Sequence, residues 1–168
     1  MPNAKIPDFT ATLDDGRTAS LSQLLADGPI VLFFYPKAFT PGCTAESCHF
    51  RDLASEFAEV GAQRIGVSRD EVDTQAKFKA EYGLDFPLIA DPEGDVAKIF
   101  GAKRMGPLPS KRQTFVIDVD RTMLGVISSE LNMQVHASDA LELLRSREPV
   151  DDLHVEISLD ADVESRSN

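Results

Sequence analysis

The amino-acid sequence predicts an α/β fold in which helices flank a central mixed sheet. Strand-like and helix-like segments alternate along most of the chain. Residues 29–35 (PIVLFFY) form an almost continuous apolar run, which is typical of a strand buried on both faces. Two adjoining strand-like segments and a helix end the pattern, so the sheet is expected to gain antiparallel strands as well.

The first part of the chain supplies a hairpin, the buried strand and a helix. Residues 8–13 and 17–21 are strand-like and flank an Asp-Asp-Gly sequence at 14–16, which predicts an N-terminal β-hairpin. The buried strand ends at Pro36. After a short loop, a helix is predicted over 43–60.

The second part continues the alternation. It is predicted to contain strand 63–68, helix 71–82, strand 87–90, helix 94–100, strands 112–119 and 122–128, and a helix from about Ser138 to Arg147. Gly83 and Gly101 follow two of these helices and are expected to end them. Sites in such folds lie at the carboxyl ends of the buried strands, so we expect the site in the loop between Pro36 and Cys43.

Length and charge narrow the class of protein. The 168 residues predict one domain, placed at 1–147, followed by an acidic tail, 148–168, that is expected to be loosely ordered. The net charge of −11 argues against nucleic acid or membrane as a partner. There is no apolar run of about 18 residues for a membrane span and no apolar signal-peptide core, so we expect a cytoplasmic protein.

The two cysteines, Cys43 and Cys48, lie five positions apart in the predicted helix. At about 100° per residue, Cys43 shares the apolar face with Phe50 and Phe57, whereas Cys48 lies on the polar face. In an intact helix their Cα atoms are about 8–9 Å apart, beyond the ~7 Å limit for a disulfide. The thiols can therefore stay reduced in the helix or be bridged after it unwinds, but they cannot be bridged in place.

The surroundings of Cys43 favour a thiolate. A helix N-terminus offers unpaired N–H groups and a dipole that favours an anion. Thr40 can donate and accept a hydrogen bond, and Pro36 and Pro41 stiffen the loop. Candidates for a nearby cation are Lys37, Arg51, Arg104 and Arg112. We favour Arg112, because it opens a strand that is expected to neighbour the buried one.

The stretch 34–52, FYPKAFTPGCTAESCHFRD, resembles the active-site segment of peroxiredoxins, in particular the bacterioferritin-comigratory-protein or peroxiredoxin Q subfamily. Pro36, Thr40 and Cys43 match that family's PxxxTxxC pattern. The segment RQTFVID resembles the family's later strand, which places Arg112 at the family's active-site arginine.

The resemblance covers about residues 4–147 and implies a thioredoxin-like fold. It also implies a thiol-dependent peroxidase that reduces hydrogen peroxide and organic hydroperoxides in antioxidant defence. Cys43 would be the peroxidatic cysteine, and Thr40 and Arg112 would hold the peroxide. Cys48 would be the resolving cysteine, whose intramolecular disulfide a thioredoxin-like reductant then opens.

Other interpretations stay open. A thiol–disulfide oxidoreductase on the same fold would want a CxxC spacing, which Cys43 and Cys48 do not have. A non-catalytic thioredoxin-like binding module could use the acidic tail to contact a basic partner. No cofactor is expected, and Cys43, Cys48 and His49 are too few for a structural zinc site. The chain is expected to be a monomer or a homodimer.

The remaining ionisable residues are interpreted as structural. Glu46 is taken as an acid that suits the first turn of a helix. The three histidines are taken as surface or hydrogen-bonded residues rather than catalysts: His49, His136 and His154.

Overall fold

The computed structural model describes residues 3–106 and 108–147. Within these ranges, seven strands form one mixed sheet in the order β2-β1-β5-β4-β3-β6-β7. Strands β3, β4 and β5 are parallel, and the other neighbouring pairs are antiparallel. The predicted α/β class and the N-terminal hairpin, formed by β1 and β2, are confirmed.

The elements follow the predicted order. The strands are β1 (Thr10–Leu13), β2 (Thr18–Ser20), β3 (Ile30–Phe34), β4 (Gln63–Ser68), β5 (Leu88–Ala90), β6 (Gln113–Ile117) and β7 (Met123–Ser128). The helices are α1 (Leu21–Leu24), α2 (Pro41–Asp52), α3 (Ala54–Glu59), α4 (Val72–Tyr82), α5 (Asp95–Ile99) and α6 (Met133–Ser146). Helix α1 and the one-turn 3₁₀ helix that follows it were not predicted, and Leu21, placed at the end of the predicted strand 17–21, is the first residue of α1.

Strand β3 lies at the centre of the sheet and is buried on both faces, as its apolar run predicts. Leu32 and Phe34 belong to a first core that also contains residues of α1 and α5. Val31 and Phe33 belong to a second core, which contains residues of α2, α3, α4 and α6. Phe33 stacks on Phe50 of α2, with ring centroids 4.1 Å apart. This packing fixes α2 against β3.

The helix predicted over 43–60 is two helices. It begins earlier, at Pro41, because the fixed φ of proline suits the first position of a helix. It is interrupted at Leu53, whose φ of −96° and ψ of 22° are not helical. No proline or glycine marks this break, so helical periodicity alone cannot predict it.

The last helix begins earlier than its predicted start near Ser138. The side chain of Asn132 accepts hydrogen bonds from the backbone N–H groups of Gln134 and Val135, and this N-cap starts α6 at Met133. The earlier start places His136 in the first turn of α6, where it is fully buried.

In the ranges 3–106 and 108–147, no helix is long and apolar enough to span a bilayer. The predicted acidic tail, 148–168, lies outside the described residues.

Candidate active site

Three segments meet at the carboxyl end of β3, where the sequence predicts the site. The loop after β3 leads into α2, the loop after β4 carries Asp70, and Arg112 directly precedes β6. Because β6 is antiparallel to β3 and pairs Phe34 with Gln113, its start lies beside the end of β3. The topology thereby joins Cys43 and Arg112, which are 69 positions apart in the chain.

Cys43 lies in the first turn of α2, with Thr40 as the N-cap residue and Pro41 as the first helical residue. Its side chain is fully buried in the second core. The backbone N–H of Lys37 donates a hydrogen bond to Cys43 Sγ at 3.5 Å. Since a helix N-terminus also favours negative charge, the sulfur occupies a position that stabilises a thiolate.

Arg112 brings a positive charge to the sulfur. Its Nη2 donates to Cys43 Sγ at 3.3 Å, and its Nη1 donates to Glu46 Oε1 at 2.7 Å. Burial alone would lower the pKa of Arg112, but the negative charges of Glu46 and Cys43 outweigh burial and raise it. The guanidinium is therefore a permanent cation that is shared between a sulfur and a carboxyl group.

Glu46 is fully buried. Because α2 begins earlier than predicted, at Pro41, Glu46 lies in its second turn and not in the first turn that the sequence predicts. It follows Cys43 by three positions, so both side chains lie on the same face of α2. Burial raises the pKa of Glu46 to about 8, even though the charge of Arg112 and its hydrogen bond act in the opposite direction.

His136 approaches Glu46 from α6. Its Nδ1 is 3.7 Å from Glu46 Oε2 and 2.8 Å from Thr114 Oγ1. Its Nε2 is 2.8 Å from the carbonyl oxygen of Ser129. Burial lowers the pKa of His136, and the nearby charge of Arg112 lowers it further.

The loop between β3 and α2 is held by side-chain hydrogen bonds. The Thr40 hydroxyl donates to the carbonyl oxygen of Lys37 at 2.7 Å. The carboxylate of Asp70 accepts from the backbone N–H of Ala38 at 2.8 Å and from the Ser68 hydroxyl at 2.6 Å. These bonds fix the loop backbone, including the Lys37 N–H that faces the sulfur.

A cleft of about 220 Å³ lies beside this loop. It is lined by Pro36, Lys37, Arg69, Asp70 and Pro109. Arg69 forms one wall by donating hydrogen bonds to the carbonyl oxygens of Gly106 and Leu108, and so ties the Gly/Pro-rich loop before Arg112 to the end of β4. Pro36 lines this cleft at the start of the loop that leads from β3 to Cys43.

Cys48 lies five positions beyond Cys43 on α2, about 1.4 helical turns, and is half-buried. Both thiols are free in the folded helix. This state agrees with the geometric argument that two cysteines five positions apart cannot be bridged while the helix is intact.

Arg51 is not part of the site, although it was one of the candidate cations. It lies about two turns beyond Cys43, and its Nη1 donates to the carbonyl oxygen of Tyr82 at 2.6 Å. Its Nε donates to Asp52 at 3.0 Å. Arg104 is paired with Glu130. Of the four candidates, Arg112 has its guanidinium at the sulfur, and Lys37 contributes its backbone N–H.

Glu46, Asp70 and His136 belong to the site, but the sequence did not indicate their roles. The spacing of Glu46 from Cys43 is a signal that was available, because residues three apart share a helix face. Asn132 is an N-cap residue type that could have placed His136 in the first turn of α6. No pattern in the sequence predicts that Asp70 contacts the β3–α2 loop.

The arrangement offers an activated nucleophile. A buried sulfur receives two N–H donors and lies beside a fixed cation, and these are the conditions that favour a reactive thiolate. The same donors can stabilise negative charge on a neighbouring oxygen. Across the part of the chain that the structure describes, no group of three or more His, Cys, Asp or Glu side chains is placed to hold a metal ion.

Known proteins resemble this chain in both fold and sequence. The AhpC/TSA family model matches residues 2–125. Peroxidoxin BcpB from Mycobacterium tuberculosis is 53% identical, with a TM-score of 0.84 over 88% of this chain and 97% of that chain. The bacterioferritin comigratory protein of Xanthomonas campestris, whose structures concern alkyl peroxide reduction, is 29% identical, with a TM-score of 0.77 over 87% of this chain and 98% of that chain.

Chloroplast peroxiredoxin Q of Oryza sativa subsp. japonica is 37% identical over 142 residues, which is 83% of this chain and 64% of that protein. The family model covers well over half of the chain, and a relative of known structure is 53% identical across most of it. The chain therefore belongs to the AhpC/TSA family, among the peroxiredoxins named peroxiredoxin Q and bacterioferritin comigratory protein.

Proposed function

We propose that this protein is a thiol-dependent peroxidase whose nucleophile is the thiolate of Cys43. Family membership carries the reaction class. One observation carries the assignment to Cys43, namely the 3.3 Å contact between its buried sulfur and the guanidinium of Arg112. A cysteine that only fills space in a core needs no buried cation, whereas a thiolate does.

In the first step, Cys43 Sγ attacks the terminal oxygen of a hydroperoxide. The S–O bond forms as the O–O bond breaks, and Cys43 becomes a sulfenic acid. The other oxygen leaves with the bonding electrons, takes up a proton and departs as water or an alcohol. Because negative charge moves from sulfur to this oxygen, Arg112 Nη2 and the Lys37 N–H are placed to stabilise the transition state.

Thr40 and Pro36 are assigned to the binding of the peroxide. The Thr40 hydroxyl donates its proton to the carbonyl oxygen of Lys37. Its oxygen lone pairs can then accept a hydrogen bond from the O–H of the substrate. Pro36, which lines the cleft beside the loop, stiffens the chain and limits the access of water to Cys43.

Cys48 is assigned as the resolving cysteine. Its thiol attacks the sulfur of the Cys43 sulfenic acid, a disulfide forms and water leaves. Part of α2 must unwind for this step, since the intact helix holds the two residues too far apart. A thioredoxin-like dithiol then reduces the bridge by thiol–disulfide exchange and is itself oxidised.

The remaining assignments follow from the same chemistry. Alkyl peroxide reduction in the Xanthomonas relative supports organic hydroperoxides as substrates beside hydrogen peroxide. Two cysteines are too few for the disulfide framework of a small secreted domain, which supports a cytoplasmic location. An acidic protein is a poor partner for nucleic acid or anionic membrane. Monomer and homodimer both stay predictions.

Mixing the reduced protein with one equivalent of peroxide tests this function. Hydrogen peroxide and an organic hydroperoxide should each be consumed at least about a thousandfold faster than by free cysteine at the same pH. Peptide mapping should then find a Cys43–Cys48 disulfide. The control is Cys48→Ser, which should consume one equivalent of peroxide without forming a bridge.

Two outcomes count against the proposal. A rate no greater than that of free cysteine contradicts the peroxidase function. Fast consumption by the wild type, with no Cys43–Cys48 bridge among the peptides, removes Cys48 from the mechanism.

A further inference from the structure

A buried acid and a buried histidine adjoin the arm of Arg112 that does not contact Cys43. Glu46 Oε1 accepts from Arg112 Nη1. Its second oxygen, Oε2, is buried and makes no hydrogen bond with any residue in 3–106 or 108–147. His136 Nδ1, from a different helix, lies 3.7 Å from this oxygen. Both side chains are fully buried, so the pair is sealed from solvent.

The hydrogen bonds of His136 define its tautomer. The carbonyl oxygen of Ser129 can only accept, so the ring nitrogen 2.8 Å away, Nε2, carries the hydrogen. Burial lowers the pKa of His136 and keeps the ring neutral. Nδ1 is then an acceptor, which receives the Thr114 hydroxyl at 2.8 Å. Glu46 Oε2 therefore lies 3.7 Å from a nitrogen that has no hydrogen to donate and whose single lone pair is taken by Thr114.

Cys43 and Glu46 depend on the same cation. If both are ionised, the single buried guanidinium of Arg112 faces two negative charges. If Glu46 keeps its proton, the whole charge of Arg112 is available to the sulfur. Burial raises the pKa of Glu46 to about 8, in agreement with the protonated form at neutral pH.

The charged and titratable groups around the pair favour the same state. Glu46 is faced by Cys43 on α2, Arg112 beside β6, Glu130 between β7 and α6, and His136 on α6, and His136 is also faced by Asp139. The negative charge of Glu130 raises the pKa of Glu46 further. Arg112 is the one group in this set that favours the carboxylate.

We propose that Glu46 holds one proton behind Arg112, on Oε2, next to the hydrogen-free Nδ1 of His136, which cannot donate to a carboxylate. While this proton is bound, Glu46 is neutral and the positive charge of Arg112 acts on Cys43 alone. Glu46 and His136 are positioning residues, since neither touches the peroxide. The inference rests on the proposed function of Cys43. When Glu46 loses the proton, its carboxylate competes for Arg112, and the oxygen that leaves the peroxide is stabilised less.

The first test is the pH dependence of Cys43 oxidation by hydrogen peroxide. In the wild type, a single group that ionises near pH 8 should lower the second-order rate constant by up to about tenfold between pH 7 and pH 9. In Glu46→Gln, the amide permanently mimics the protonated acid, so the ratio of the two rate constants should be near one. The same alkaline fall in Glu46→Gln as in the wild type would overturn the proposal.

A matched pair of variants tests His136. Gln in place of His136 keeps a donor to the Ser129 carbonyl but loses the Nδ1 acceptor, whereas Asn keeps a polar atom near Nδ1 and loses the bond to Ser129. His136→Gln should move the alkaline fall to lower pH by about half a unit to one unit, because the Glu46 carboxylate would no longer face the electron-rich Nδ1. His136→Asn should leave the fall near its wild-type pH. Equal shifts in both variants would remove His136 from the pair.

Infrared spectroscopy detects the proton on Glu46 directly, without any reaction with peroxide. The reduced wild type should show the C=O stretching band of a buried protonated carboxylic acid at pH 7, and the band should vanish at pH 9 and in Glu46→Gln. Absence of the band at pH 7 contradicts the inference, whatever the kinetics. If the band is present but the wild type consumes no peroxide at any pH, the proposed function fails and the proton-holding pair survives.

Discussion

Replacing Cys43 with serine is expected to lower the rate of peroxide reduction by at least about a thousandfold. A serine hydroxyl stays protonated at neutral pH, and its oxygen is a much weaker nucleophile than a thiolate sulfur. Arg112 and the Lys37 N–H would still face the position of the lost sulfur, but they have no reactive anion to stabilise. Stopped-flow measurement of peroxide consumption by the reduced variant gives the rate directly.

Cys48→Ser is the matched control, because it also replaces a thiol by a hydroxyl group on the same helix. It should retain the first oxidation step within about twofold, since Cys48 acts only after the sulfenic acid has formed. Cys43 is fully buried, so circular dichroism and thermal melting must show that Cys43→Ser is folded. A folded Cys43→Ser variant with wild-type peroxide consumption would make the assignment of the nucleophile wrong.

Replacing Arg112 with glutamine is expected to slow the oxidation of Cys43 by about 10²–10³-fold, the usual effect of losing one transition-state donor. The amide can still donate a hydrogen bond, but the positive charge at the sulfur is gone. The oxidation rate of Arg112→Lys should lie between the rates of the wild type and of Arg112→Gln, because lysine keeps the charge but loses the forked guanidinium that reaches Cys43 and Glu46 together. The measurement is the second-order rate constant for sulfenic acid formation.

Arg51→Gln is the control for loss of an arginine charge near α2. Arg51 bonds to the Tyr82 carbonyl and to Asp52 rather than to the sulfur, so its removal should change the first oxidation step by less than about twofold. Equal losses of rate in Arg51→Gln and Arg112→Gln would show that general charge, and not the contact with Cys43, carries the effect.

The Arg112 variants should also change how stability depends on pH. The pKa of Glu46 is about 8 in the folded protein, above its ordinary value of 4.5. The contribution of Glu46 to the free energy of unfolding is therefore fully present below pH 4.5, declines as the pH rises from there, and is lost as the pH rises through 8. Arg112 opposes this effect, so its removal should raise the pKa of Glu46 further, extend the loss of stability to higher pH and make the loss between pH 6 and pH 9 larger. Urea unfolding at pH 6 and pH 9 measures the difference.

The sequence predicts the framework of the site because local chemistry defines it. The apolar run of β3 indicates a buried strand, and the pattern of Pro36, Thr40 and Cys43 marks a loop that enters a helix. The resemblance of the strand after Arg112 to the family's later strand selects the arginine. The structure confirms the α/β fold and places Arg112 at the sulfur.

The buried pair behind Arg112 is invisible to local reasoning. An acid in the predicted first turn is compatible with solvent exposure, but the structure places Glu46 in the second turn of α2, where the packing of α6 against α2 buries it. That packing depends on where α6 begins, which the cap at Asn132 sets. For a related reason the sequence alone leaves Arg51 among the candidate cations: its sequence neighbours do not reveal that the C-terminal end of α4, at Tyr82, offers its guanidinium a carbonyl oxygen.

The proposed reaction depends on one atom, the sulfur of Cys43, as the acceptor of the peroxide oxygen. Cys48→Ser leaves Cys43 as the single cysteine of the chain, so its sulfenic acid cannot be resolved internally. One equivalent of hydrogen peroxide is added to this reduced variant in the presence of a dimedone-type probe, and the peptides are then analysed by mass spectrometry. We expect one probe molecule bound to Cys43 for each peroxide consumed. An unmodified Cys43 thiol after the peroxide has been consumed would contradict it.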